Sequence, residues 1–512
     1  MNMALTSQGR IRPTKTDIFP SPVRGWIQSG SELSAKPDSC AVLDNFICTA
    51  EGARLRGGSS ELADLGAQAE RLFTYRSGSQ EELFGATAAD IFDCSDVAGG
   101  AVLAAQASGD WSTQQISTAG GEFLVGVNGA DTGFVYDGTT WSALAVTGVA
   151  STGLSQVWMW GERLFFVEEG TSTAWYLPVE SIGGALTSLN LGSVFEDGGA
   201  LLFGATWSLD SGSGLDDVCI FVSTTGEIAV YEGTDPTSAN TWSRVGVYEI
   251  GEPLNKHASF KAGGDLAILT EDGIVPVSAA LKKDRAALQS DAITFPIEDA
   301  WKEVIRNRSV TYPISATLWQ SSTSLIVGTP ATESGKAISF ISNSRTGAWS
   351  RTTGWDIRCS AIWDDKFYFA GANGKVYRGD VGGSDDGVSY TGIYVPKHRT
   401  YKVERSANFA GLTYRSSESV YFEMDCFEDY NVGEISPPVA SFVDVGAVWG
   451  GGVWGVFVWG VGVELETFTE WQTVFAQGLS LAPSVAITSN QVGQLTFEIL
   501  ATRLRSEEGD EI

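Results

Sequence analysis

The 512-residue sequence predicts an all-β protein built around a β-propeller of six or seven blades. Two observations predict this class. Short apolar runs separated by polar or glycine turns recur along the chain, and the composition combines 60 Gly and 17 Trp with only 19% charged residues. Many tight turns and many aromatic side chains are typical of numerous short antiparallel strands. A chain of this length can bury one large closed β architecture.

The clearest stretch is 226–278. It contains four strand-like runs separated by turn residues: Gly226–Gly233, Trp242–Ile250, Asp265–Leu269 and Ile274–Val277. Four short strands in about fifty residues form either one antiparallel four-stranded unit or two adjoining half-units.

Similar hairpins recur elsewhere. Four clear pairs of runs are Glu70–Tyr75 with Glu82–Ala86, Gly161–Val167 with Ala174–Leu177, Gly264–Leu269 with Gly273–Val275, and Asp364–Phe369 with Gly374–Tyr377. Fainter units lie near 200–231 and 315–345. Weak self-similarity of this kind indicates separated propeller blades.

A Trp-Ser pair precedes three of these hairpins. It occurs at Trp141, Trp242 and Trp349, and Trp111-Ser112 is a fourth instance without so clear a sequel. The pairs are either part of the repeat or a coincidence in a Trp-rich chain.

Residues 278–308 interrupt the β pattern and predict one or two short helices. Pro296 suits a first helical turn, and Glu298 with Asp299 suits the positive end of the helix dipole. Ile297, Trp301, Val304 and Ile305 form one apolar stripe, which covers a core or packs on a neighbouring subunit.

These patterns divide the chain into three parts. Residues 1–58 form an N-terminal arm and leading segment, 59–399 form the propeller with its helical insertion, and 400–512 form a C-terminal β region. The last part contains an uncharged run, 445–463, with Trp449, Trp454 and Trp459 among its glycines. We expect a buried or subunit-packed β loop there; a receptor-contacting tip and a membrane-touching element are the alternatives.

The formal net charge of −29 argues against tight nucleic-acid binding over the whole surface, because phosphate contacts need Lys and Arg. Acidity serves solubility, or it provides a surface or channel to which DNA does not adhere. Residues 1–24 differ from the rest of the chain in charge. They contain four basic residues and one acid: Arg10, Arg12, Lys15, Arg24 and Asp17. This basic arm is either a frayed terminus or a segment that docks on an acidic neighbour.

The sequence predicts no catalytic, cofactor-binding or metal-binding residues and therefore no enzyme. His257 and His398 lack the spacing of a zinc site, and the six scattered cysteines indicate buried thiols. The adjacent acids Glu168-Glu169 and Asp364-Asp365 are poorly placed for joint acid–base work.

Two Asp-rich stretches, Asp210–Asp217 and Asp380–Gly387, contain several carboxylates that could bind calcium. They lack the ligand spacing of a known calcium loop. We interpret them as turns.

Two blocks carry a resemblance. The first runs through Pro22-Val-Arg-Gly-Trp26, Ala41-Val-Leu-Asp-Asn-Phe46 and Gly52-Ala-Arg-Leu-Arg-Gly57, and the second is 226–278. Their order resembles the tail nozzle (tail tubular or tail hub) proteins of short-tailed bacteriophages, the podoviruses, in which the first block precedes a propeller.

The resemblance implies a structural virion protein of the tail, a subunit of a hexameric ring below the portal and adaptor, through which DNA is ejected. Its implied partners are further copies, the adaptor or head-to-tail connector, tail fibres, and DNA passing without sequence-specific binding. Membrane contact is the less favoured alternative. A receptor- or glycan-binding tail propeller is the rival interpretation, and a cellular peptide-binding propeller is a third.

Overall fold

The structure is a computed structural model that describes residues 14–30, 32–95, 100–208, 217–238, 240–308, 313–333, 335–417, 419–440 and 465–508. The chain divides into two compact units. We call residues 59–344 and 353–380 the propeller unit, and residues 1–58, 345–352 and 381–512 the terminal unit.

Six small sheets in a ring make the propeller unit a six-blade β-propeller. Blade 1 contains the strands Ala69–Ser77, Gln80–Thr87, Ile91–Asp93 and Ala101–Leu103. Blade 2 contains Ser112–Thr118, Gly121–Val127, Phe134–Tyr136 and Trp141–Ala143. Blade 3 contains Leu154–Trp160, Arg163–Glu168, Thr173–Tyr176 and Thr187–Asn190. Blade 4 contains Leu201–Trp207, Val218–Ser223, Glu227–Gly233 and Trp242–Glu249. Blade 5 contains Ser259–Ala262, Asp265–Thr270 and Gly273–Pro276. Blade 6 contains Cys359–Trp363, Lys366–Ala370, Lys375–Gly379 and Ser59–Asp64.

The first strand of each blade lies innermost. First strands of neighbouring blades contact one another, as those of blades 2, 3 and 4 do. A meander of three strands, Ser315–Trp319, Ser324–Glu333 and Lys336–Asn343, follows blade 5, and its first strand contacts the first strands of blades 5 and 6. A two-stranded parallel ladder, Val146–Thr147 with Gly184–Ala185, and a 3-10 turn, Ser151–Gly153, complete the unit's regular elements outside the helical insertion.

Blade 6 closes the ring with strands from distant parts of the chain. Ser59–Asp64 pairs antiparallel with Lys375–Gly379, so that Asp64 lies opposite Lys375 and Ser59 opposite Gly379. Lys375 also forms an ion pair with Glu61. Strand Ser59–Asp64 therefore covers an edge that blade 6 would otherwise expose.

Aromatic side chains fill the space between blades. Phe165 is fully buried and packs on Trp158, Tyr176 and Phe221, with ring centroids 5.2 to 6.4 Å apart. Its position in blade 3 and the position of Phe221 in blade 4 make this cluster a contact between blades.

The predicted helical insertion is confirmed. It contains the helices Val277–Ala280, Arg285–Leu288 and Glu298–Arg306 with the 3-10 turns Gln289–Asp291 and Phe295–Ile297. Ile297, Trp301 and Val304 of the predicted stripe are buried, and Ile305 is half-buried. The stripe covers a core, because Trp301 Nε1 donates to the Thr270 carbonyl of blade 5 at 3.2 Å.

The terminal unit is a separate β structure. Its strands are Thr14–Pro20, Cys40–Asp44, Phe46–Cys48, Ala53–Leu55, Tyr390–Pro396, Arg399–Ser416, Glu423–Glu428, Glu466–Ser489 and Phe497–Glu508, with a 3-10 turn at Glu32–Ser34. Arg399–Ser416 pairs with both Glu466–Ser489 and Phe497–Glu508, and Thr14–Pro20 adds to the outer side of Phe497–Glu508. Strand Trp349–Thr353 begins in this unit.

The two compact units divide the chain differently from the expected three parts. The propeller unit is bounded by residues 59 and 380, whereas the expected propeller domain is 59–399. Residues 1–58 join the C-terminal region in one unit because Cys40–Asp44 pairs with Tyr390–Pro396. Because these two strands lie far apart in the sequence, no local pattern predicts their pairing.

The four clear hairpins and the strands of 226–278 are present. The stretch 226–278 comprises the last two strands of blade 4 and all three strands of blade 5, so it is two adjoining parts. Trp141 and Trp242 each begin the fourth strand of a blade, whereas Trp111 precedes a first strand. The Trp-Ser pair therefore marks an outer strand in blades 2 and 4.

Replacing Phe165 with Ala should lower the free energy of unfolding by about 3–5 kcal/mol, because it leaves a cavity between blades 3 and 4. Chemical denaturation measures this loss. The matched control is Phe295→Ala, whose ring is 42% exposed and which should change stability far less. Equal losses in the two variants would contradict the assignment of the core.

Candidate functional site

A cluster of charged side chains lies where first strands begin, at the face that we call the upper face of the propeller. His257 Nε2 lies 2.8 Å from Asp110 Oδ1, and Lys256 Nζ lies 3.1 Å from Asp110 Oδ2. Lys256 also donates to the Asn128 carbonyl at 3.3 Å. Arg71, at the beginning of blade 1, contributes to the electrostatics of the same group. We call these residues the axial cluster.

The cluster crosses the ring interior. Asp110 precedes the first strand of blade 2, and Lys256 and His257 precede the first strand of blade 5, with blades 3 and 4 between them. Because first strands lie innermost, a contact between the starts of blades 2 and 5 spans the region of the axis. The axis is therefore bridged by side chains at the upper face.

Burial and the neighbouring polar groups together set the protonation states of the cluster. Burial, together with the Arg71 charge, lowers the pKa of His257 to about 4, although Asp110 opposes the shift. Burial alone would raise the pKa of Asp110, but the hydrogen bond from His257 and the charge of Lys256 lower it below its ordinary value. At neutral pH a neutral His257 thus donates its Nε2 proton to an ionised Asp110. This hydrogen bond links blade 2 to blade 5.

A second polar cluster lies in the terminal unit and contains residues of the first resemblance block. The Arg56 side chain is fully buried, and its two terminal nitrogens donate to the Asp385 carboxylate at 2.8 and 2.7 Å. Its guanidinium lies 4.1 Å from the ring centre of Tyr390, and its Nε donates to Asn45 Oδ1 at 2.9 Å. Arg351 pairs with Asp44 in the same way. Arg56 therefore joins the leading segment to the region after 380, and Asp44 joins it to Arg351.

The adjacent carboxylates form no acid–base pair. Asp364 and Asp365 have φ values of 47° and 54° and make the two-residue turn between paired strands of blade 6, a conformation that Asp tolerates. Glu168 accepts a hydrogen bond from Trp175 Nε1 at 2.8 Å, and Glu169 is exposed beyond the strand end.

The structure describes only one of the two Asp-rich stretches in full. In Asp380–Gly387, the Asp385 carboxylate is committed to Arg56, and Asp386 lies at φ 49° in a turn. In Asp210–Asp217, residues 210–216 lie outside the described residues. Within the part of the chain that the structure describes, no group of three His, Cys, Asp or Glu side chains is placed to hold a metal ion.

The cysteines and the second histidine are buried. All six cysteines are buried thiols, as predicted, and burial raises the pKa of the Cys48 thiol to about 12. His398 Nδ1 lies 2.8 Å from Glu32 Oε1. Burial would raise the pKa of Glu32, but the bond with His398 lowers it.

A cavity of about 230 Å³ lies between the helical insertion and blade 5. Its carboxylates are matched by cations: Glu298 pairs with Lys302, Asp272 with Arg285, and Glu271 with Arg308. These three carboxylates are all held in ion pairs, and we assign the cavity no chemistry.

The uncharged Trp-Gly run 445–463 lies outside the described residues, and so do Arg10 and Arg12 of the basic arm. The described part of the arm, 14–24, contains the strand Thr14–Pro20, in which Lys15 pairs with Asp17. Arg24 pairs with Asp38 at 3.1 Å. Among the described helices, none has the length and apolar character needed to span a membrane.

The sequence signals did not predict either polar cluster. Asp110 and His257 lie 147 residues apart, and Arg56 and Asp385 lie 329 residues apart. The sequence singled out Arg56 only as a member of the Arg-Leu-Arg element, residues 54–56, of the first resemblance block.

No family model matches the chain, and no curated protein matches it. A solved structure that it resembles is the computationally designed Ika8 protein, at 10% identity and a TM-score of 0.37, covering 63% of this chain and 99% of that one.

The axial cluster predicts a pH dependence. Because the pKa of His257 is lower in the folded chain than in the unfolded one, the unfolded chain binds more protons between about pH 6.5 and 4. Stability should therefore fall as the pH drops through this window, with His257 contributing about 3 kcal/mol to the loss.

Denaturation of the wild type and of His257→Gln at pH 7, 5.5 and 4 measures this contribution. The variant should show the shallower dependence of the free energy of unfolding on pH. Parallel curves for wild type and His257→Gln would contradict the prediction.

Proposed function

We propose that the chain is a structural virion protein, a subunit of a ring-shaped tail nozzle that attaches below the portal and adaptor and forms the channel for DNA ejection. The observation that carries this proposal is an order of elements. The block that resembles the nozzle family, residues 19–58, leads directly into a propeller that begins at Ser59. That is the order which the resemblance implies.

Charge supports the proposal. The propeller unit contains 17 Lys and Arg against 39 Asp and Glu, a net charge of −22, whereas the terminal unit carries −7. A channel wall built from such units repels phosphates, so that DNA passes without adhering. DNA would be a transient passenger, with no sequence-specific contact.

The axial cluster constrains where such a channel runs. Asp110 and His257 bridge the propeller axis at the upper face, so the axis of one propeller is unsuited as the path. In the proposed assembly, six copies enclose the channel between them, with the adaptor or connector and the tail fibres as neighbours.

A receptor- or glycan-binding tail propeller is the second candidate, and Trp471 favours it. This side chain is 44% exposed, and an exposed indole can stack on a sugar. Most other described tryptophans, including Trp111, Trp301 and Trp355, are buried and unsuited as platforms. Glycan-array binding that Trp471→Ala abolishes would support this alternative.

The proposed function predicts that virions contain the chain in the tail at six copies per particle. Labelled chain in negative-stain images gives the location, and quantitative mass spectrometry against the portal protein gives the copy number. Particles without this chain would contradict the proposal.

A channel wall also predicts that reversing its charge slows ejection, because added Lys side chains bind phosphates. Two sets of variants test the two faces of the propeller: Glu169→Lys with Glu196→Lys at the upper face, and Glu162→Lys with Glu180→Lys at the opposite face. All four side chains are exposed. The set that faces the channel should slow DNA release in vitro several-fold, and the other set is its matched control. Unchanged release in both sets would remove the channel argument.

A further inference from the structure

An exposed face of the terminal unit combines aromatic, aliphatic and guanidinium side chains. Four adjacent strands bring them together in register: Ile18 lies opposite Arg503, which lies opposite Gly411, which lies opposite Trp471. In the next row Thr16, Arg505, Phe409 and Thr473 follow each other across the same strands. Side chains of one row share a face of the sheet.

The apolar members of this face are unusually exposed. The exposed fractions are 58% for Ile18, 40% for Phe409 and 44% for Trp471. Farther along strand Glu466–Ser489, Phe475 is 82% exposed and Leu479 is 52% exposed, while Val474 and Gly478, each one residue before them, are buried. The face is therefore continuous along that strand. We call Ile18, Phe409, Trp471, Phe475, Leu479, Arg503 and Arg505 the aromatic face.

The aromatic face has the composition of an interface core. Trp and Arg are the side chains that contribute most to binding in protein–protein contacts, and exposed apolar patches of this kind mark interaction sites. Trp471 is also positioned in advance, since a Cβ built on Gly411 would lie 2.8 Å from its ring. A side chain that is already ordered loses little entropy on binding.

Charge identifies the partner. Arg505 is exposed and Arg503 half-buried on this face, and the same strand ends in two acids, Glu507 and Glu508. The propeller unit of the same chain carries a net charge of −22. A second copy thus offers an acidic surface that complements the two guanidinium groups.

We propose that the aromatic face is one half of a head-to-tail contact between copies, whose other half is the acidic surface of the neighbour's propeller unit. Two different surfaces meeting in this way form a heterologous interface, which generates a closed ring when the rotation between copies closes. The inference rests on the proposed function and names the surface through which the ring would form.

The test compares the assembly of purified full-length variants by mass photometry and analytical ultracentrifugation. Trp471→Ser with Phe475→Ser, and separately Arg503→Glu with Arg505→Glu, should raise the dissociation constant between copies at least tenfold. Val388→Ser with Val492→Ser is the matched control, because these side chains are 64% and 95% exposed in the same unit but lie outside the aromatic face. The control should assemble as the wild type does.

Oxidative footprinting of the wild-type chain provides a second readout that needs no variant. Trp471 and Phe475 should be protected in the assembled form and reactive at dilutions where the copies separate. A wild type that is monomeric at every concentration would overturn the inference, as would protection that does not change with concentration, which indicates cover by the same chain.

The two proposals fail separately. Wild-type rings that the aromatic-face variants retain would overturn this inference and leave the nozzle proposal intact. Virions lacking the chain would overturn the nozzle proposal, whereas a loss of assembly in the variants would still support the contact.

Discussion

The pairing of Ser59–Asp64 with Lys375–Gly379 is the constraint on which the propeller depends. The other blades are built from strands that follow one another in the chain, so each can form locally. Blade 6 takes its fourth strand from the beginning of the unit, and this exchange ties the two ends of the ring together. Without it, an open edge would remain on blade 6, and opening of the ring would meet less resistance.

The polar clusters reinforce this closure at different places. The axial cluster connects the starts of blades 2 and 5 across the propeller interior through Asp110 and His257. In the terminal unit, Arg56 and Asp385 connect a residue just before the propeller to one just after it. The Arg56 side chain is fully buried, and a buried charge without its partner is costly, so this pair enforces one arrangement of distant segments. We interpret both clusters as structural and assign neither of them catalytic chemistry.

Much of the fold was predictable because its signals are local. Alternating apolar runs and turn residues such as Asp364 and Asp365 act within a few residues, and the helical stripe around Trp301 has its own period. The blade closure, the joining of 1–58 to the C-terminal region, and the axial cluster could not be predicted in this way. Each depends on residues more than a hundred positions apart.

The sequence by itself determined the all-β class, the hairpins, the helical insertion and the acidity of the chain, because these follow from composition and short-range pattern. Only the tertiary structure decided which strands share a sheet and which side chains face solvent. Phe475 and Phe165 are both phenylalanines within strand-like runs, yet one is 82% exposed and the other is buried. Burial depends on the neighbours that distant pairing brings, and no local pattern contains that information.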